Sequence, residues 1–171
     1  MTHPLVAQLR FTRSEWLRAL DGISNADARR RFEPMNCISW MIGHLTWHEH
    51  LYWLVRAQSK NIAPQLDELV GYGKPASTPP LDDMWTAWRT VTVAADPYLD
   101  ALTTEMLQGH MIVDGQPHYQ TIGTMIQRII YHYWYHIGES QAARQLLGHA
   151  SLPEFVGDIQ GQGPYRPESS V

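Results

Sequence analysis

The stretch TIGTMIQRIIYHYWYHIGESQAARQLLGH, from Thr121 to His149, predicts one long helix with His132 and His136 at its centre. Two histidines four positions apart lie on the same side of a helix, about 6 Å apart along its axis, so both can reach one ion. On a helical wheel His136 falls within a narrow apolar arc, and His132 lies at the edge of that arc. The apolar members of the arc are Met125, Ile129, Ala143 and Leu147.

The nitrogens of these two histidines need partners if the apolar arc faces the inside of a helical bundle. An unpartnered polar group buried there would cost roughly 1–3 kcal/mol. We therefore expect a metal ion to bind His132 and His136, and we expect another part of the chain to supply a third ligand.

A second predicted helix, from about Cys37 to Ala57, carries His44 near the middle of its own apolar arc. His48 lies one turn further along, toward the edge of that arc, and His50 points elsewhere. The apolar members of the arc are Trp40, Trp47, Leu51 and Val55.

A lone histidine on an apolar face is more often a satisfied core residue than a ligand. Here two long helices each turn imidazole inward, which favours metal ligation. The sequence predicts that His44, His132 and His136 bind one divalent ion and that His48 does not.

Residue spacing disfavours other kinds of metal site. No Glu-x-x-His occurs in the sequence, which argues against a ferritin-like di-iron core. His48 and Glu49 begin an HExxH motif, but Tyr52 stands where the second histidine should be, which argues against a zincin. Three neutral imidazoles suit Zn²⁺, Ni²⁺ or Fe²⁺ and leave a coordination position open, as in catalytic sites. The choice among these metals stays open.

The remaining helices follow from the same periodicity. Helix one is predicted from Leu5 to about Leu20. Helix three is predicted to start near Leu81, and Pro97 should kink it or divide it. We therefore expect an all-α fold, a four-helix bundle in a single domain over residues 1–171.

Two connecting segments have distinct compositions. Residues 61–80 contain four prolines and two glycines and form a long crossover after helix two, which need not join antiparallel neighbours. Before helix four, a short apolar run leads into Asp114 and Gly115, a signal for a small hairpin or loop over one end of the bundle. His110 and His118 lie on this segment, where we expect surface positions.

Composition argues against several classes of function. The formal charge is -4 and there is no long Lys/Arg run, so the clustered positive charge of a nucleic-acid interface is missing. No segment approaches 18 apolar residues and the N-terminus has no signal-peptide core, so we expect a soluble, cytoplasmic protein with no membrane partner. The single cysteine, Cys37, allows no internal disulfide. We expect it to be a packed thiol, because no neighbouring cation would lower its pKa.

Three motifs carry a resemblance to a known family. Gly43-His44-Leu45 lies in helix two, and HYWYHIGESQAARQLLG runs from His132 to Gly148. The second motif is similar to the pattern HxxxHxGQ, followed by a leucine-rich run to glycine, of the DinB/YfiT-like family of metal-dependent bundle proteins. Glu139 stands where that family usually has glutamine. The tail LPEFVGDI, residues 152–159, resembles a subset of members.

This resemblance covers essentially the whole chain and implies a fold and a chemistry. The implied fold is a four-helix bundle of up-down-down-up topology, often dimeric, with a three-histidine metal site at one end. Family members studied as enzymes use a small thiol such as mycothiol or bacillithiol, as maleylpyruvate isomerases or S-transferases. Many other members have no known activity.

Two functions from different classes stay open. In the first, the ion binds water or an exogenous thiol, lowers its pKa and directs the resulting anion at a small electrophile, so that the protein is a thiol transferase or a hydrolase. Glu139, about one turn beyond His136, would then act as a base or orient a ligand, with a solvated surface position as the alternative. In the second, the bundle is a non-catalytic binding module, and any metal is structural or incidental.

We also expect a homodimer, because Ile130, Trp134 and Ile137 make helix four apolar on the side away from the histidines. The tail around Phe155 could cover that side instead. The thiol should come from outside the chain, since Cys37 lies about two turns, roughly 10 Å along the axis, before His44.

Overall fold

The computed structural model of this protein describes residues 2–154 and 156–167, which are mostly helical with one small two-stranded sheet. None of the helices in these ranges is long and apolar enough to cross a membrane. The helices are α1 (Pro4–Ala19), α2 (Asn25–Ala28), α3 (Ile38–Glu49, continued by a π-helix over His50–Arg56), α4 (Gln65–Val70), α5 (Leu81–Asp100), α6 (Thr104–Gln108), α7 (Ile122–Leu146) and α8 (Ile159–Gln162). The strands are β1 (His110–Val113) and β2 (Gln116–Thr121).

Side-chain caps set the starts of the two histidine-bearing helices, α3 and α7. The hydroxyl of Thr121 accepts a hydrogen bond from the amide of Thr124 and begins α7. At the start of α3, the Cys37 sulfur accepts from the amide of Trp40. Cys37 is buried, and burial raises the pKa of its thiol. It is therefore the packed thiol that the sequence predicts, with a capping role in addition.

The second predicted helix has nearly the expected extent but changes its geometry halfway. From His50 to Arg56 it is a π-helix, whose turns are wider than those of an α-helix. Residues after Glu49 are therefore rotated relative to a regular α-helical wheel. Three consecutive residues, Tyr52, Trp53 and Leu54, are buried there. A wheel drawn at 3.6 residues per turn cannot show this change.

The structure adds detail to two predictions about the middle of the chain. The long connector over residues 61–80 contains a short helix, α4, between its prolines. Of the two outcomes considered at Pro97, division of the helix is wrong, because α5 runs unbroken to Asp100. Pro97 has no N–H to donate to the carbonyl of Val93. Val93 is 69% exposed, so water can donate a hydrogen bond to that carbonyl instead.

The hairpin forms as predicted. Strands β1 and β2 pair antiparallel, and Asp114 and Gly115 connect them with φ angles of 52° and 76°. Positive φ at both central residues is the geometry of the tight turn that matches strand twist. His110 is exposed and His118 is half-buried on this hairpin, outside the helical core.

Close packing brings α4 onto the histidine-bearing part of α3. A Cβ atom at Gly43 would lie 3.0 Å from a Val70 methyl group and 2.5 Å from the Met84 sulfur, so a larger residue could not be accommodated without movement. Glycine therefore permits the end of α4 to approach α3 next to His44. The most extensive helix–helix contacts are those of α1 with α7 and of α3 with α5, followed by those of α3 with α4 and with α7.

The apolar side of α7 that motivates the homodimer is largely covered within the chain. Ile130 and Ile137 are only 9% and 7% exposed, and α1 packs along this helix. The ring of Trp134 lies 6.4 Å from that of Phe11 on α1. Phe155, the other residue expected to cover this side, lies outside the described residues. The second burial surface inferred from the helical wheel is therefore supplied by α1.

Candidate metal centre

The structure brings three histidines from two helices together. His44 projects from α3, and His132 and His136 project from α7; one ring nitrogen of each lies within 4.8 Å of the other two. The Nε2 atoms of His132 and His136 are 3.0 Å apart. Two nitrogens that share one tetrahedral zinc ion are separated by about 3.3 Å, given Zn–N bonds of about 2.0 Å. The cluster has nearly the spacing of a ligand set.

Each of the three rings is held at Nδ1 by another group. The Nδ1 atom of His44 lies 2.8 Å from the carbonyl oxygen of Val70, that of His132 lies 2.9 Å from Nδ1 of His48, and that of His136 lies 2.7 Å from a carboxylate oxygen of Glu139. A carbonyl only accepts, so Nδ1 of His44 carries the hydrogen and Nε2 keeps its lone pair. Partners of this kind orient metal-binding imidazoles in proteins.

Burial favours the neutral form of His44 and His132. His44 is 7% exposed and stacks with Trp40 at 4.5 Å and with Trp47 at 5.4 Å between ring centroids. Burial lowers the pKa of His44 from 6.5 to about 4. Burial, reinforced by the proximity of His136, lowers the pKa of His132 to about 2. Neutral imidazole is the form that binds a metal ion, so the donor set fits a divalent transition metal.

His48 lies closer to the cluster than the helical wheel of α3 indicates. It is buried and contacts His132, so it is not at the margin of the helix surface. His48 follows His44 by four residues, just as His136 follows His132 on α7. This shared spacing could have indicated from the sequence that both helices present two imidazoles. His50 does point elsewhere: its Nε2 accepts hydrogen bonds from the amides of Ile62 and Ala63.

Glu139 lies beside His136 with its side chain 22% exposed. Its contact with His136 corresponds to the orienting role considered from the sequence. The carboxylate also lies on the wall of a cavity that opens onto the three histidines. This position is compatible with both roles considered for Glu139, that of a base and that of a group that orients His136.

A buried charged network lies behind the histidines and connects α1, α3, α5 and α7. The guanidinium of Arg13 donates two hydrogen bonds to the carboxylate of Glu49 and one, at 2.9 Å, to Asp96. The Tyr133 hydroxyl donates to Glu49 at 2.6 Å and accepts from the Trp88 indole at 2.7 Å. Glu49 and Tyr133 directly follow His48 and His132 in the chain. The network therefore fixes the two histidine-bearing helices against each other.

The cavity beside the cluster has a volume of about 820 Å³, large enough for a small-molecule substrate. Its wall is rich in aromatic side chains. Tyr131 and Tyr135 lie on this wall and are 67% and 69% exposed, whereas Tyr133 between them is buried in the core. The aromatic residues on the wall are Trp40, Trp47, Tyr52, Tyr72, Tyr131 and Tyr135.

Several residues of this wall were missed by sequence reasoning. Arg128 stands four positions before His132, so helical spacing alone could have indicated it. Arg56 belongs to the π-helix, and residues 72–74 belong to the connector, which local sequence does not place near the histidines.

Comparisons with known proteins agree with this architecture. The sequence profile of the DinB superfamily matches residues 8–140, a range that includes the three histidines, His48 and Glu139. The structure is similar to the crystal structure of a conserved protein from Enterococcus faecalis, with a TM-score of 0.63 and 14% identity over 85% of this chain and 96% of the other. A search of curated proteins finds no significant match. The profile match spans more than half of this chain, and the chain therefore belongs to the DinB superfamily.

Proposed function

We propose that His44, His132 and His136 bind one divalent transition-metal ion, and that the protein is an enzyme that directs a low-molecular-weight thiol, or water, at a small electrophile. The arrangement of ring nitrogens carries this proposal. Each Nδ1 atom has a polar partner within the chain, which leaves the Nε2 atoms for a shared ligand. Zn²⁺, Ni²⁺ and Fe²⁺ all suit three imidazoles.

A divalent ion held in this way would supply a Lewis acid that lowers the pKa of a thiol or a water molecule in its open position. The chain's own residues prepare the site for it. The Val70 carbonyl, His48 and Glu139 orient the three rings. Trp40 and Trp47 shield one imidazole from water by stacking with it. Glu139, on the cavity wall, can accept a proton from a bound nucleophile.

The nucleophile has to come from outside the chain. Cys37 is buried, its sulfur lies near the Ser77 carbonyl oxygen at 3.6 Å, and burial raises the pKa of its thiol. A thiol in that environment is neither ionised nor accessible. The cavity that opens onto the histidines offers room for an exogenous thiol and for its electrophilic partner.

Cobalt substitution tests the proposal. The protein is purified without a nickel column, its metal content is measured, and cobalt is then introduced and titrated with a small thiol. We expect one metal ion per chain and a new sulfur-to-cobalt charge-transfer band. His50→Gln, which removes an imidazole outside the cluster, is the matched control and should behave like the wild type.

An unchanged spectrum at millimolar thiol, with cobalt bound, would favour water as the nucleophile and therefore a hydrolase. Absence of stoichiometric metal would instead favour the non-catalytic binding module. A metal ion without a labile position would also favour that module.

We also infer that α1, α3, α5 and α7 run up-down-down-up in one domain spanning residues 1–171. Contacts support parallel α3 and α5, since Gly43 lies beside Met84 and, further along both helices, Trp53 lies beside Tyr98. Contacts also support antiparallel α3 and α7, since His44 contacts both His132 and His136, whereas His48, one turn later on α3, contacts His132, the earlier of the two on α7.

A further inference from the structure

Two arginines on the cavity wall have no acidic partner in the part of the chain that the structure describes. The chain has a net charge of -4, yet within the described residues neither Arg56 nor Arg128 forms an ion pair with a carboxylate. The other charged groups of the wall are engaged: Lys74 pairs with Glu68 at 2.7 Å, and Glu139 contacts His136. Uncompensated positive charge is therefore confined to the two arginines in this cavity.

Both arginines lie close to the histidine cluster. Arg128 is one helical turn before His132 on α7, about 6 Å along the axis. The guanidinium carbon of Arg56 lies 5.1 Å from the centre of the Tyr52 ring, and that ring lies 4.4 Å from the ring of His48. The positive charge thus borders the part of the cavity that leads to the cluster.

Electrostatics supports the same placement. Burial raises the pKa of Tyr52, and Arg128 and Arg56 oppose that change. Both cations therefore act on Tyr52, whose ring lies next to that of His48.

We propose that Arg56 and Arg128 form an anion subsite that holds the carboxylate of a small organic acid whose other end reaches the three-histidine cluster. The planar guanidinium forks of arginine match the two oxygens of a carboxylate. Tyr52 and Tyr131 provide aromatic surface for the carbon chain between the two ends. This inference rests on the proposed function, because it identifies the class of nucleophile or substrate that the metal site would receive.

Two thiols that differ only in charge test the subsite. The cobalt-loaded protein is titrated with 4-mercaptobutyrate and with its neutral amide, and binding is followed by the charge-transfer band. We expect the acid to bind about ten- to a hundredfold more tightly, the gain from hydrogen bonds to a charged group. In the double variant Arg56→Gln/Arg128→Gln this preference should disappear, with one cobalt ion per chain retained.

Arg89→Gln is the matched control, because Arg89 is exposed on α5 and does not line the cavity. It removes one positive charge and should leave the preference unchanged. Equal affinities for the two thiols in the wild type would overturn the subsite without affecting the metal site. A preference that survives in the double variant would also overturn it, since the carboxylate would then be bound by the metal.

If neither thiol binds, the thiol-dependent function is wrong, and a second experiment with ligands that carry no thiol tests the subsite. Thermal shift and calorimetry would then compare 4-phenylbutyrate with its amide, in metal-free and zinc-loaded protein. Preference for the acid in both forms, lost in the double variant, supports the subsite. No preference in either form contradicts it.

Discussion

The Nδ1 atom of His48 lies 2.9 Å from the Nδ1 atom of His132, so one of the two rings donates a hydrogen bond to the other. If His132 binds an ion through Nε2, its Nδ1 carries the hydrogen and His48 is the acceptor. His48 then does for His132 what the Val70 carbonyl does for His44. A neutral histidine replaces the carboxylate or carbonyl that more often orients a metal-binding imidazole.

We predict that His48→Ala keeps one metal ion per chain but weakens its binding about tenfold or more, the effect usual for a residue that orients a ligand. His136→Ala should abolish stoichiometric binding, because it removes a ligand. Competition with a chromophoric chelator measures both affinities. Loss of the ion in His48→Ala together with its retention in His44→Ala would reverse the assignment of these two residues.

Glu139→Gln should retain the metal ion with an affinity lowered by about tenfold, because the amide oxygen still accepts from His136 but carries no charge. Glu139→Ala should lower the affinity further, since Nδ1 of His136 then loses its partner in the chain. Chelator competition measures the metal affinity of both variants, and their difference separates the effect of the Glu139 charge from that of its hydrogen bond. Unchanged affinity in both variants would leave Glu139 only a role in the reaction itself.

Metal-free protein should lose stability as the pH falls below about 6.5. The pKa of His44 is about 4 in the folded state and about 6.5 unfolded, so the unfolded chain binds more protons between these values. Stability then falls by at most about 1.4 kcal/mol per pH unit for this group. Urea unfolding of chelator-treated protein at about pH 7.5 and about pH 5.5 measures the loss. His44→Gln should show a smaller loss, and an identical loss would assign it to other groups.

Removing only one partner of the buried ion pair between Arg13 and Glu49 should destabilise the protein. Glu49→Leu leaves the guanidinium without its main partner and should lower the free energy of unfolding by about 3–5 kcal/mol. The double variant Arg13→Met/Glu49→Leu removes both charges and should be more stable than Glu49→Leu alone. Urea denaturation compares the three proteins. A double variant less stable than Glu49→Leu alone would contradict this and show that Arg13 contributes stability without Glu49, through Asp96 or through packing.

The homodimer stays a prediction, although its original basis is weaker now that α1 covers Ile130 and Ile137. Light scattering at micromolar concentration decides between a mass near 19.6 kDa and twice that value. A monomer would indicate that packing of α1 against α7 satisfies the apolar side of α7 by itself.

The sequence alone determined which side of each histidine-bearing helix faces inward. Helical periodicity depends only on residues within one element, so it placed His44 and His136 on apolar arcs and indicated the extents of α3 and α7 with small errors. The Asp114-Gly115 turn was predictable for the same reason, since two adjacent residues define it. Membership of the DinB superfamily also followed from motifs quoted residue by residue.

Only the tertiary structure decided what the histidines contact. The pairing of His48 with His132 depends on the register of α3 against α7, and periodicity within one helix carries no information about the register between two. The Val70 carbonyl reaches His44 because Gly43 allows α4 to approach. Arg56 joins the cavity wall from a π-helix, whose wider turn redirects side chains away from the α-helical wheel. The positions of Val70 and Arg56 therefore depend on packing between elements and on local helix geometry, which residue spacing does not encode.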